Sequence, residues 1–160
     1  MSVWKAIKWI LLLPVILIAL GIAYCEANKA YWDHRVRELC DKDGGVTVFE
    51  RMEISKADYP NLEYTSLGAL IFPSQTHAKP EDPFFIEFNS KSLREGFTDV
   101  FRFEQSIVRT IDGKRLSKLV SYSRRGGDFP TGIVHPSSFS CGDEDRNLRT
   151  YISSVTLKGE

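Results

Sequence analysis

The chain has 160 residues, and its 21 basic and 21 acidic side chains cancel to a formal net charge of zero. That balance removes the general electrostatic case for nucleic-acid binding. An apolar content of 42% with 12% aromatics excludes a disordered or collagen-like chain, and the length is that of one domain with room for a tail.

The apolar residues are concentrated at the N-terminus. From Trp9 to Cys25 (WILLLPVILIALGIAYC) there is no charged side chain. Seventeen residues at about 1.5 Å rise give roughly 26 Å, near the lower limit for crossing a hydrocarbon core. The lead-in from Val3, with Lys5 and Lys8 able to snorkel, completes a span. A buried core helix fits poorly, because the run is apolar on every face and follows two lysines, the pattern of an export signal or anchor. Pro14 is compatible with a helix in lipid.

Three fates are open to such a segment. A lipoprotein signal needs a small residue before the cysteine, and Tyr24 precedes Cys25. A cleaved signal peptide has small-x-small sites at Ala19-Leu20-Gly21 and Ala23-Tyr24-Cys25. An uncleaved signal-anchor uses the whole run and puts Trp9 and Tyr24 at the two interfaces, where amphipathic aromatics prefer to sit. The anchor is the favoured reading. It divides the chain into a transmembrane helix over 1–25 and a soluble domain over 26–160.

Counting Lys and Arg alone does not orient the span, since Lys29, Arg35, Arg37 and Lys42 follow it while Lys5 and Lys8 precede it. Proximity favours a cytoplasmic N-terminus, because Lys5 and Lys8 abut the apolar run. Cysteine usage points the same way. Cys40 and Cys141 lie at opposite ends of the soluble part, with no C-x-x-C spacing for zinc or redox chemistry. In an oxidising compartment they are expected to pair across a loop of about 100 residues, for which the chain-entropy model gives up to roughly 4.7 kcal/mol.

Beyond the span, Glu26 to Asp41 lacks Gly and Pro and reads as a helix continuing out of the membrane and stopping at Gly44-Gly45. The period then changes to two from Val46 to Ile54, which predicts a strand. Tyr64 to Phe72 is a second candidate, Ser74 to Pro83 a loop, and Phe84 to Phe88 a third strand. Asp112-Gly113 between two beta-prone runs predicts a two-residue type I′ hairpin over Val100 to Ser123. Pairing Ile111 with Lys114 then sets Phe103 against Tyr122, Gln105 against Val120 and Arg109 against Leu116. An irregular segment to Asn147 and a last strand from Leu148 to Leu157 follow. The expected fold class is α+β: a mostly antiparallel β domain behind an N-terminal transmembrane helix.

Two blocks, Val36 to Glu50 (VRELCDKDGGVTVFE) and Ser123 to Cys141 (SRRGGDFPTGIVHPSSFSC), resemble segments found together in a group of small, uncharacterised bacterial proteins with an N-terminal hydrophobic segment. The resemblance covers most of the soluble chain. It implies bacterial origin and an exported domain with paired cysteines, and it carries no activity over.

Chemical constellations are sparse. His135 stands near Ser137, Ser138, Ser140 and Cys141, but without a G-x-S-x-G elbow, and a Pro- and Ser-rich loop delivering Cys141 to its partner explains the segment. No catalytic residue is assigned. His34, His77 and His135 are scattered, Asp143-Glu144-Asp145 lacks the alternating ligands and turning glycine of a calcium loop, and neither a metal nor a cofactor is expected. The best binding candidate is Arg124-Arg125-Gly126-Gly127, where two guanidiniums and free backbone N–H groups would suit a phosphate or carboxylate. A strand exit needing positive φ at Gly126 or Gly127, with Asp128 pairing to an arginine, explains the same residues.

These observations leave two function classes. The favoured one is a non-enzymatic binding or structural domain of the cell envelope. It would be held in the bacterial inner membrane by residues 3–25, with a single pass and its C-terminal domain in the periplasm, and its partner would be an envelope protein. The alternative is a small envelope hydrolase using His135. A polar cleft with a buried carboxylate would favour the enzyme, and an apolar exposed face the binder.

Overall fold

The computed structural model describes residues 3–55, 71–129, 136–142 and 144–157. One continuous helix, α1 (Val3–Asp43), leads into β1 (Gly45–Val48), β2 (Met52–Ile54), β3 (Phe84–Arg94), β4 (Thr98–Arg109), β5 (Arg115–Gly126), β6 (Ser138–Ser140), α2 (Glu144–Ile152) and β7 (Val155–Leu157). The main sheet runs β1-β5-β4-β3, with β6 also pairing β5, and its ladders are all antiparallel. A parallel β2–β7 pair stands apart. The fold is an apolar helix long enough to span a membrane, followed by a mostly antiparallel β domain.

The first half of α1 is exposed, and every large apolar residue from Trp9 to Leu20 except those of its small-residue positions stands open. The second half is docked. Gly21, Cys25, Asn28, Lys29, Trp32, Asp33, Val36, Leu39 and Cys40 are buried or half-buried while most residues between them are exposed. That spacing is one face of a 3.6-residue helix. Contacts run in opposite order along β5: Lys29 meets Asp128, Asp33 meets Arg124, and Asp43 meets Tyr122. Helix termination is as expected, with the Gly44 N–H donating to the Cys40 carbonyl and Gly45 at φ 112°.

Each face of the sheet has its own core. On one, Val36 of α1 packs with Val100, Val120, Tyr122 and Cys141. On the other, Phe84, Ile107 and Leu116 pack with Ile54, Tyr151 and Val155. Burial pushes the Tyr151 phenol well above its ordinary value.

Three sequence expectations differ from this structure. Val46 to Ile54 is two strands, because the chain bends where the Phe49 and Glu50 N–H groups both donate to the Leu116 carbonyl. Leu148 to Leu157 begins as the end of α2: Leu148, Tyr151 and Ile152 sit at i, i+3 and i+4, and only Val155–Leu157 is strand. The beta-prone Thr150-Tyr151-Ile152 triplet is overridden by burial of Tyr151 against the sheet. The hairpin exists, but its loop is longer. Arg109 N–H donates to the Lys114 carbonyl and Gly113 N–H to the Arg109 carbonyl, with Gly113 at φ 67°. A bulge between Ile107 and Val108 adds to this. The register becomes Arg102 to Tyr122, Phe103 to Ser121 and Glu104 to Val120, one residue away from the expected pairing. A one-residue slip sends Phe103 and Tyr122 to opposite faces. Of the Tyr64 to Phe72 candidate, residues 64–70 lie outside the described residues.

Cys40 and Cys141 are bonded across a sequence separation of 101. Cys141 fills the gap on the β5 edge between β1 and β6: its N–H donates to the Tyr122 carbonyl, and the Tyr122 N–H points at its Sγ. Below the bridge, Tyr122 donates 2.6 Å to Asp43, which Arg102 also contacts. Replacing both cysteines by serine is therefore expected to lower unfolding free energy by about 2–5 kcal/mol. Denaturant unfolding of the double variant, beside wild type with and without reductant, checks this.

Candidate functional site

The Arg124-Arg125-Gly126-Gly127 segment is where the domain grips α1. Arg124 is 3% exposed. Its Nε donates to Asp33 at 2.5 Å, and its Nη1 to the Gly126 carbonyl and to Ser137. Gly126 N–H donates to the Ser137 carbonyl and Gly127 N–H to the Phe97 carbonyl, so neither is turned outward to a ligand. Both glycines have positive φ, 83° and 87°. A Cβ on Gly127 would stand 2.9 Å from Thr98 Oγ1 and 3.2 Å from Lys29 Cγ. Of the two arginines, Arg125 alone is exposed. Arg124 differs because beyond the bulge β5 turns Val120, Tyr122 and Arg124 towards α1, where Asp33 is waiting. Asp128 takes Lys29 and the Ser137 N–H as partners, rather than an arginine.

His135 and Asp143 lie outside the described residues. Of the other histidines, His34 faces Glu38 on α1. His77 Nδ1 lies 2.8 Å from Ser74 Oγ, but both side chains are exposed and belong to one turn, in which the Ser74 carbonyl accepts from His77 and Ala78. That is a local turn contact and lacks a carboxylate to orient the base. Among the described residues, no group of three or more His, Cys, Asp or Glu stands together.

The open site is on the sheet face away from α1. A groove of about 350 Å³ is lined by Phe88, Phe103, Gln105, Leu119, Asn147 and Leu148, with Ser121 and Cys141 at its base. That volume and its mix of apolar walls with a few polar groups suit a side chain or small apolar ligand. Phe88 is 57% exposed. It stacks on Phe103 at 6.0 Å, and Phe103 on Phe101 at 6.1 Å, which makes an aromatic row across two strands.

Phe88 also stands on an edge. β3 ends the main sheet, and among the described residues its outer side carries one bridge, Ser74 to Ile86. Ile86 donates outward to the Pro73 carbonyl and accepts from Gln75. Backbone direction alternates along a strand, so the N–H and C=O groups of Phe88 and Ser90 also point outward. Sequence reading missed this site because the expected register put Phe103 in the same layer as Tyr122 and Val120. No protein-family model, curated protein or solved structure matches the chain.

Arg124→Gln leaves Asp33 without its partner in a largely buried place and is expected to cost about 3 kcal/mol, whereas Arg125→Gln should stay within about 0.5 kcal/mol. Gly127→Ala should cost about 1 kcal/mol or more, from φ strain and from contact with Thr98. Urea titrations of the three variants check the order.

The Ser137 N–H, with Lys29 in support, holds the Asp128 carboxyl below its usual range. A depressed carboxylate adds stability that is complete above the unfolded pKa and lost as pH falls through the folded one. Melting temperature should therefore drop on acidification below about pH 4, the usual carboxylate range. Asp128→Asn should flatten that limb, which thermal scans from neutral to acid pH would show.

Proposed function

We propose that this protein is a single-pass, membrane-anchored binding domain of the bacterial cell envelope. Its N-terminus is cytoplasmic, and its β domain is exported and receives an extended segment of another envelope protein along β3. The juxtaposition at Phe88 carries this reading, since a sheet edge with outward N–H and C=O groups at Phe88 and Ser90 borders an apolar groove. Strand addition draws affinity from main-chain hydrogen bonds and specificity from pockets for alternate side chains. A guest strand beside β3 would supply both, with one of its side chains over Phe88 and into the groove. Among the described residues the β3 edge beyond Ile86 carries no partner strand, and such an edge is an aggregation hazard that proteins cover or blunt.

The Cys40–Cys141 bridge supports an oxidising compartment for the domain, and Lys5 and Lys8 beside the span support a cytoplasmic N-terminus. The apolar groove, rather than a cleft with a buried carboxylate, favours a binder over a hydrolase. Resemblance of the Leu39 to Gly45 and Arg124 to Asp128 blocks to exported bacterial proteins agrees with that setting.

A photo-crosslinking amino acid at Phe88 should yield a discrete protein adduct in intact cells, and one at Ile111 should not. Ser90→Pro removes an outward N–H at a position where an edge strand tolerates proline, and it should abolish the adduct while leaving the melting temperature near wild type. Equal adducts at 88 and 111, or an adduct that survives Ser90→Pro, would reject strand addition. A reporter that matures only in the cytoplasm, fused to the C-terminus, should stay dark.

A further inference from the structure

Phe129 rests on the membrane helix. Its ring lies so close to Gly21 that a Cβ there would stand 2.8 Å from Phe129 Cε2. Gly21 is four residues inside the uncharged run that ends at Cys25, and four residues of helix rise about 6 Å. A hydrocarbon core about 30 Å thick needs about 20 residues. Counted from Lys5 or from Lys8, such a core ends near residue 25 or residue 28. In either placement Gly21 is within the apolar layer, and whatever touches it lies at the bilayer boundary.

The same depth is shared by the adjoining loops. Gly127 N–H donates to the Phe97 carbonyl, and Asn28 donates to Thr98, so the β3–β4 turn sits beside the Gly126–Phe129 segment at the membrane end of the sheet. The turn exposes Phe97 at 47%, and the end of β3 beside it exposes Leu93 at 43%. Arg125 is exposed on the neighbouring strand end. Apolar Leu93 and Phe97 flank exposed Arg94 and Glu95, with Arg125 beside them. This mix of apolar tips with net cationic heads suits the interfacial layer, where rings and chains enter the acyl boundary and cations meet phosphates.

We infer that this end of the β domain is a lipid-contact surface. Phe129, Phe97 and Leu93 insert at the bilayer interface, so the domain is held upright against the membrane instead of swinging on a free tether. Docking of α1 over Gly21 to Cys40 leaves no hinge between span and sheet, which fixes the height and direction at which the β3 edge is presented.

This inference rests on the anchor reading, and its test separates the two. In a Cys25→Ala background, an environment-sensitive dye is attached at Trp9→Cys, Phe97→Cys or Ile111→Cys of the full chain in phosphatidylethanolamine–phosphatidylglycerol vesicles, some carrying nitroxide-labelled lipid. Position 9 reports the span and position 111, which is 90% exposed at the far hairpin tip, reports bulk water. Blue-shifted emission at 97 that the nitroxide lipid largely extinguishes, beside unquenched emission at 111, is the expected result. Quenching at 9 with 97 behaving like 111 would overturn the lipid surface and leave the anchor standing. A dye at 97 shielded from water but untouched by nitroxide lipid would mean that a second copy of the chain covers this end, and would also overturn it. Absence of quenching at 9 would remove the anchor and the inference together.

Discussion

The packing of the second half of α1 against β5 is the constraint on which the rest of the structure depends. It is an unusual division of labour for one helix, whose first half is apolar, exposed and long enough to span a membrane and whose second half is core. The contact is specified by a buried arginine rather than by apolar fit alone. Arg124 must meet Asp33 and the Gly126 and Ser137 oxygens at once. Slipping α1 by one turn would strand that guanidinium in a dry site, at a cost of several kcal/mol. Desolvation makes such a pair a poor source of net stability and a good determinant of register. Around it, Val36 supplies the burial, and the disulfide closes the far end.

From that contact follows the asymmetry of the sheet. Its α1 face is covered from Thr98 and Gly127 at one end to Tyr122 and Asp43 at the other. Among the described residues, the opposite face is covered by the nine residues of α2 and the β2–β7 pair. Ile107 and Phe84 are buried there, while Phe88, Phe101 and Phe103 remain beside the groove. Exposed Phe88 beside half-buried Phe101 and Phe103 is the feature on which the proposed recognition along the β3 edge rests. Fixing the domain against the bilayer would add to that, because orientation already lost in the free protein is not lost again on binding.

The RRGGD block illustrates how a motif that looks like a ligand site can be a joint. Consecutive glycines with positive φ and a pair of arginines satisfy the requirements of an anion nest and of a tight strand exit equally well. What separates them is where the donors point. Here the Gly126 and Gly127 N–H groups and the Arg124 fork are turned inward to Ser137, Phe97 and Asp33, and the block joins sheet, helix and loop.

The sequence by itself determined the features that depend on local chemistry. An uncharged run behind two lysines specifies an apolar helix long enough to span a membrane, an uninterrupted helical stretch ending at Gly44-Gly45 specifies where α1 stops, and the two cysteines beyond that run are the ones that pair. The fold class followed from alternating beta-prone runs and the Asp112-Gly113 turn. Only the tertiary structure decided the β4–β5 register, because a four-residue loop moves it by two and a bulge at Ile107 takes one back, leaving the partners of Thr98 to Ile107 one residue away, and alternation alone is blind to such a shift. It likewise decided that residues 144–152 are helical, since burial of Tyr151 outweighs the strand preference of its neighbours. The groove was illegible for the same reason: Phe88, Phe103, Leu119 and Leu148 come from four separate elements, and only the register puts them on one face.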